Sequence, residues 1–97
     1  TNENDFHVRN GLDDVSLIDL FSWDQATFDI RLAGTPIRRI GYVQWLRNIA
    51  VGLGNASYSN DIVRALQGRA DDASELVREH VQWALQQQHQ KKSASKE

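Results

Sequence analysis

One apolar stripe restricts the fold of this chain more than any other feature of its sequence. Between 42 and 53, apolar residues recur three and four positions apart, at Tyr42, Trp45, Leu46, Ile49, Ala50 and Leu53. This spacing places all of them on one face of an α-helix. Gly54 and Asn55, which follow, are residues typical of a helix C-terminus. The stripe therefore predicts a helix over about 42–54 with one buried face.

The rest of the chain carries shorter helical patterns. Apolar spacing predicts helices over 15–21, about 23–33 and 62–66, and a last helix that begins near Ser74. The inner face of that last helix is predicted to carry Leu76, Val77, His80, Val81, Ala84 and Leu85. No segment of the sequence shows the sustained alternation that is typical of a strand. We therefore expect an all-α fold of about five helices.

Polar residues mark the predicted starts of these helices. Ser22 opens a capping-box pattern, and Thr35 precedes a proline that is suited to the first helical position. For the last helix, either Ser74 or Asp72 is expected to accept hydrogen bonds from the first free N–H groups. Their side chains are therefore the predicted N-terminal caps.

The predicted helices occupy the middle of the chain. Residues 1–11 lack periodicity and predict a flexible lead-in, 12–88 a helical domain, and 89–97 a polar disordered tail. When the sequence is shifted so that Trp45 falls over Val77, the apolar residues of two helices coincide. Paired helices that recur at the spacing from Trp45 to Val77 are typical of HEAT-like repeats. A HEAT-like repeat and an irregular helical bundle both remain open.

Cysteine and methionine are both absent from the 97 residues. Without thiolates, this chain cannot by itself form disulfides, thiolate nucleophiles or sulfur-ligated iron or zinc sites. Because it begins at Thr1 and contains no Met, we expect it to be a domain excised from a longer protein. The polar N-terminus and the absence of an apolar run of about 18 residues argue against secretion and membrane insertion.

Titratable residues show no pattern that is typical of an active site. Asp13 and Asp71 each begin an acidic pair that precedes a predicted helix, where acids stabilise the helix dipole. His80 lies on an apolar stripe, where a hydrogen-bonded structural histidine is the common case. We therefore expect no catalytic, cofactor-binding or metal-binding residue in this chain.

Charge is segregated along the chain, although the net charge is only -2. Residues 1–29 hold seven acids against Arg9 alone, whereas residues 30–70 hold six arginines against Asp61 alone. The planar guanidinium group suits two-point contact with phosphate. The six arginines are Arg31, Arg38, Arg39, Arg47, Arg64 and Arg69.

Part of this basic segment forms a candidate phosphate-binding patch. Arg38 and Arg39 follow a predicted helix start, where unsatisfied N–H groups favour anions. Arg47 and Asn48 lie opposite the apolar stripe of the central helix. The alternative is a solvated face whose charges pair with the acidic N-terminal third. The sequence pattern places no aromatic platform beside these arginines.

Four segments of the sequence form a more specific combination. They are 20–24 (LFSWD), 35–39 (TPIRR), 46–55 (LRNIAVGLGN) and 76–85 (LVREHVQWAL). Together they resemble the C-terminal region of bacterial epoxyqueuosine reductases, over about residues 12–86. Those cytoplasmic oxidoreductases reduce epoxyqueuosine to queuosine in tRNA, using a cobalamin and two [4Fe–4S] clusters. The resemblance implies a HEAT-like region that helps to hold tRNA while upstream domains carry out the redox chemistry.

The same resemblance implies candidate RNA contacts. Its matching polar positions are Arg38, Arg39, Arg47, Asn48 and Asn55, which we expect to bind the anticodon stem-loop of tRNA. The cluster cysteines and the proton-donating acid belong upstream, so this chain is not expected to be catalytic by itself. The other expected partner is the upstream part of the same polypeptide. The alternative function is a helical protein–protein interaction module without a nucleic-acid role.

Overall fold

The helical patterns of the sequence correspond to six helices in a computed structural model that describes residues 13–95, with side chains over 17–92. The helices are α1 (Asp13–Phe21), α2 (Gln25–Arg31), α3 (Pro36–Ile40), α4 (Tyr42–Asn55), α5 (Asn60–Gln67) and α6 (Glu75–Ser95). No strand occurs in this range, and the all-α class is confirmed. The residues that follow Thr35 form the additional short helix α3, which raises the number of helices to six. The predicted lead-in, 1–11, lies outside the described residues.

Helix α4 lies at the centre of the fold. It packs most extensively against α6 and also contacts α1, α2 and α3, while α5 packs on α1 and α6. The buried residues of α4 are Trp45, Leu46, Ile49, Ala50, Leu53 and Gly54. The stripe therefore forms the core as predicted, and the opposite face of α4 does not take part in the core.

Gly54 allows α4 and α6 to approach each other closely. A Cβ atom at this position would lie 2.6 Å from Cζ3 of Trp83 and 2.9 Å from Cα of Ala84. Real side chains do not tolerate such distances, so any larger residue would push the two helices apart. The glycine predicted to end the helix thus also sets the spacing of the two longest helices, and α4 ends at Asn55.

The predicted cap at Ser22 is wrong. Asp24 caps α2 instead, because its Oδ1 atom accepts a hydrogen bond from the Thr27 N–H at 2.8 Å. The Ser22 hydroxyl group donates to the carbonyl oxygen of Asp19 at 2.7 Å. Ser22 therefore completes the C-terminus of α1, where carbonyl groups lack helical partners.

The other two predicted caps have different outcomes. Thr35 precedes α3 but makes no side-chain cap, since its hydroxyl group donates to the Leu32 carbonyl oxygen at 2.8 Å. This hydroxyl is used by the turn that follows α2. Ser74 is confirmed as the cap of α6, because its Oγ atom accepts from the Val77 N–H at 3.2 Å.

Helix α6 continues through most of the segment for which a polar tail, 89–97, was expected. It runs to Ser95, and Gln88 within it is completely buried. The Gln88 side-chain nitrogen donates to the carbonyl oxygens of Leu53 and Ala56, each at 3.0 Å. Lys91 Nζ donates to the carbonyl oxygen of Gly54 at 2.8 Å and to that of Ala56 at 2.7 Å. The end of α6 is therefore held by carbonyl groups at and just after the C-terminus of α4, where regular helical partners are missing.

Candidate nucleic-acid interface

The outer face of α4 carries three of the residues predicted to contact RNA. Arg47, Asn48 and Asn55 all lie on the side opposite the buried stripe, because the helix repeats every 3.6 residues. Asn48 Oδ1 accepts hydrogen bonds from Arg47 Nη1 at 2.9 Å and from Gln44 Nε2 at 3.2 Å. Asn55 is exposed two turns further on, a rise of about 10 Å along the helix. The structure thus joins Arg47 and Asn48 directly and aligns Asn55 with them.

The remaining two candidates, Arg38 and Arg39, lie on α3. Both are exposed, and together with residues 34–36 they line a surface cavity of about 330 Å³. They are the third and fourth residues of this five-residue helix, so they lie close to its start and also in its last turn. Both descriptions apply because α3 is little more than one turn long. Gly41, with φ of 91°, then reverses the backbone so that α4 begins at once.

Acidic residues from the N-terminal third reach this cationic surface at one point in the described part of the chain. Arg38 Nε lies 3.5 Å from Asp29 Oδ1, and the two side chains are 48% and 38% exposed. An ion pair this exposed contributes little to stability, since water and salt screen it. Arg39 has no hydrogen bond or ion pair with the side chains described over 17–92. Internal pairing with carboxylates is therefore limited to Arg38 within that range.

Arg69 is a basic residue whose structural role the sequence pattern did not reveal. Its Nε atom donates to the carbonyl oxygen of Phe21 at 2.7 Å. Its Nη2 atom donates to the carbonyl oxygen of Trp23 at 2.9 Å and to the Tyr42 hydroxyl group at 3.1 Å. This guanidinium group ties the turn after α1 to the start of α4. Arg69 therefore belongs to the structural framework, not to the outward-facing basic set.

Tyr42 completes the same hydrogen-bonded cluster. Its hydroxyl group donates to the carbonyl oxygen of Trp23 at 2.6 Å. Burial raises the pKa of the Tyr42 phenol above its ordinary value of 10.0, because the charged phenolate loses hydration, and the nearby Arg69 partly offsets this effect. The neutral phenol therefore acts as a hydrogen-bond donor at neutral pH.

The structure also contains an aromatic surface beside the arginines, which the sequence pattern did not indicate. The rings of Trp23 and Trp45 are stacked, with centroids 5.7 Å apart and planes inclined by 21°. The Arg31 guanidinium carbon lies 5.6 Å from the Trp23 ring centroid. Trp23 is separated from Trp45 by a long stretch of sequence, so their contact arises only when α4 packs against the preceding turn.

The donor groups of this chain do not fit an iron–sulfur cluster. The sequence contains no cysteine to supply thiolates. Within residues 13–95, no group of three or more acidic or imidazole side chains is placed to hold a metal ion. His80 is engaged locally, with Nδ1 2.9 Å from the carbonyl oxygen of Leu76 on the same helix. None of the described helices combines the length and apolar character needed to cross a membrane.

Several known proteins with similar sequences are named epoxyqueuosine reductase. The chain is 59% identical over 87 residues to an epoxyqueuosine reductase of Xanthomonas campestris pv. campestris, covering 90% of this chain and 24% of that protein. It is 54% identical over 93 residues to an epoxyqueuosine reductase of Burkholderia pseudomallei, covering 84% and 23%. For that of Salmonella typhimurium the identity is 46% over 94 residues, covering 97% and 24%.

The match covers only part of these relatives. The chain spans about a quarter of their length, 24% for the Xanthomonas protein and 23% for the Burkholderia protein. No family model matches the chain, and no solved structure matches it. Over most of its length, the chain is thus similar to a partial region of epoxyqueuosine reductase.

Proposed function

We propose that this chain is the C-terminal, HEAT-like helical region of an epoxyqueuosine reductase and that it helps to bind tRNA in the cytoplasm. The observation that carries the proposal is the exposure of Arg38 and Arg39 on α3, together with Arg47 opposite the buried stripe of α4, in a chain 59% identical to part of such an enzyme. In this proposal the reduction of epoxyqueuosine, with its cobalamin and two [4Fe–4S] clusters, belongs to the rest of the polypeptide. The helical region supplies binding and orientation.

The chemistry of the surface suits an RNA backbone. Arg38, Arg39 and Arg47 offer planar forks of N–H donors that match phosphate oxygens, and each contact releases counterions. Such contacts position the nucleic acid without reading its sequence. This division of labour suits an accessory region, because the modified base is then left to the catalytic domains.

The local hydrogen bonds also favour this role. The carbonyl oxygen of the exposed Asn48 side chain already accepts from Arg47 and Gln44, so its amide nitrogen is the group left to bond a partner, as a donor. Asn55 presents a second exposed amide on the same face. Amide donors aligned beside guanidinium groups favour an anionic partner and offer little to a cationic one.

Charge reversal tests the proposal. We expect the 97-residue chain to bind a labelled anticodon stem-loop weakly, and the combined change of Arg38, Arg39 and Arg47 to Glu to abolish that binding. Arg39→Glu and Arg64→Glu form a matched pair, since each reverses one exposed arginine on a different helix. Fluorescence anisotropy should show weaker binding for Arg39→Glu and nearly unchanged binding for Arg64→Glu. Equal affinities for the triple variant and the wild type would refute the proposal.

A protein–protein interaction module is the second candidate function, because three large apolar side chains near the junctions of α2, α3 and α4 are exposed. Ile30 is 74% exposed, Ile40 46% and Val43 42%. These residues suit docking on the rest of the same polypeptide. Added salt distinguishes the two functions: an apolar contact weakens little, whereas a phosphate contact weakens steeply.

A further inference from the structure

We propose that Arg31 and Trp23 form a stacking platform for one unpaired base of single-stranded RNA. This inference rests on the proposed RNA-binding function, but it concerns different residues and a different kind of contact. The phosphate-binding residues lie on α3 and α4, whereas Arg31 ends α2 and Trp23 precedes it. The platform would recognise a flat aromatic base, not a charge.

The platform is centred on the Trp23 ring. Trp45, which is only 7% exposed, stacks on this ring at 5.7 Å, and the guanidinium carbon of Arg31 lies 5.6 Å from its centroid. Because Trp45 is buried and Arg31 is exposed, the guanidinium group is the more accessible of the two neighbours of Trp23. An exposed guanidinium plane supported by an indole is a surface on which RNA bases stack.

The Arg31 guanidinium group is not committed to another partner. Among the side chains described over 17–92 it makes no hydrogen bond or ion pair, and its guanidinium carbon lies over the Trp23 ring. Stacking uses the face of the group and leaves its N–H edges available. The outer face can therefore take a base while the edges remain available to bond to that base.

Several hydrogen bonds hold the platform in place before any ligand binds. The carbonyl oxygen of Trp23 accepts from the Tyr42 hydroxyl group at 2.6 Å and from Arg69 Nη2 at 2.9 Å. The next residue, Asp24, caps α2 through the Thr27 N–H. The backbone on which the indole is mounted is thus fixed from both sides. A surface that is already ordered loses little conformational entropy when it binds.

The platform and the proposed phosphate-binding residues lie on consecutive helices, since Arg31 ends α2 and both Arg38 and Arg39 lie on α3. Asp29 of α2 is 3.5 Å from Arg38, so the two helices meet at that point. In this proposal one RNA strand places a base on Arg31 and other parts of its backbone on α3. This arrangement favours an unpaired loop, since bases inside a duplex are already stacked on each other.

The test uses a substitution that keeps the positive charge of residue 31 but removes its planar guanidinium group. Arg31→Lys and the matched control Arg64→Lys are compared with the wild-type 97-residue chain in binding to a synthetic anticodon stem-loop, and to the same hairpin with abasic loop positions. We expect Arg31→Lys to weaken binding to the intact hairpin about fivefold or more, and Arg64→Lys to leave it unchanged. On the abasic hairpin, Arg31→Lys and the wild type should bind alike.

Three results would overturn the platform. Wild-type affinity for Arg31→Lys on the intact hairpin would remove the stacking role while leaving the phosphate-binding proposal in place. Equal losses on the intact and abasic hairpins would make Arg31 a charge contact only. No binding by the wild type would reject both proposals together. Circular dichroism spectra and unfolding midpoints of the variants verify that the fold is retained, as expected for an exposed side chain.

Discussion

The side-chain nitrogen of Gln88 donates a hydrogen bond to the carbonyl oxygen of Leu53, 3.0 Å away, at the point where α4 ends against α6. The same side chain accepts a hydrogen bond from the Ser59 N–H at 3.0 Å through its oxygen. One buried amide therefore joins three segments: the end of α4, the connection that follows it, and α6. Most other hydrogen bonds of the described side chains join residues that are closer together in the sequence.

Replacing Gln88 with Leu should destabilise the fold. The variant removes the hydrogen bonds that the Gln88 amide makes to the buried Leu53 carbonyl and to the partly buried Ser59 N–H, and a buried polar group left without a partner costs about 1–3 kcal/mol. Urea denaturation followed by circular dichroism measures the loss. Gln86→Leu is the control on the same helix, because Gln86 is exposed, and its free energy of unfolding should stay close to that of the wild type. Equal effects of the two changes would contradict the role assigned to Gln88.

The close contact at Gly54 gives a second prediction. Gly54→Ala places a methyl group 2.6 Å from Trp83, and separating the helices should cost about 1–3 kcal/mol of stability. Gly52→Ala is the matched control, because its Cβ would lie 3.4 Å from Leu17. Alanine is the better helix former by about 1 kcal/mol, so Gly52→Ala should be neutral or stabilising. The account of helix spacing fails if thermal unfolding shows Gly54→Ala to be as stable as Gly52→Ala.

Tyr42 should make stability depend on pH in the alkaline range. Burial raises the pKa of its phenol above 10.0 in the folded state. A group with a raised pKa contributes stability that is complete below the unfolded-state pKa and is lost as the pH rises through the folded-state pKa. The free energy of unfolding of the wild type should therefore decline above pH 10 more steeply than that of Tyr42→Phe.

Denaturation over a series of pH values measures this difference. Tyr42→Phe starts from a lower stability at neutral pH, since it lacks the hydrogen bond to Trp23. Tyr58→Phe, which removes the other tyrosine of the chain, should keep the steep alkaline decline. If the free energy of unfolding declines with pH equally in the wild type and in Tyr42→Phe, burial of the Tyr42 phenol does not cause the alkaline loss of stability.

Removing the carboxylate beside Arg38 should strengthen RNA binding. Asp29→Asn deletes the ion pair at 3.5 Å and a negative charge that repels phosphates. Since the pair is exposed, we expect affinity for the anticodon stem-loop to rise only about two- to fivefold at low salt. Asp61→Asn on α5 removes the same charge elsewhere and should have a smaller effect. A decrease in affinity for Asp29→Asn would mean that Asp29 assists binding.

The central helix could be predicted because its burial follows a local pattern. Tyr42 to Leu53 repeats apolar residues at helical spacing, and the stripe forms the core. Gln88 and Arg69 could not be placed in this way. Gln88 is 35 residues from Leu53, and Arg69 is 48 residues from Phe21. The partners of both side chains are carbonyl groups far away in the sequence, and no short-range pattern indicates such long-range hydrogen bonds.

The same distinction between local pattern and tertiary contact applies to the residues of the candidate site. Helical periodicity was enough to place Arg47 and Asn48 opposite the buried stripe of α4. The partners of these candidates depend on tertiary packing, as with the contact between Asp29 and Arg38. The stacking of Trp23, the ring that Arg31 contacts, on Trp45 also arises only when α4 packs beside the preceding turn.

The salt dependence of RNA binding tests the central claim most directly. The measurement is the slope of the logarithm of affinity against the logarithm of salt concentration, for the wild type and for Arg38, Arg39 and Arg47 changed together to Gln. If the three guanidinium groups contact phosphates, the wild-type slope has a magnitude of about 2 and the variant slope is near zero. Equal slopes for the two proteins would contradict the account.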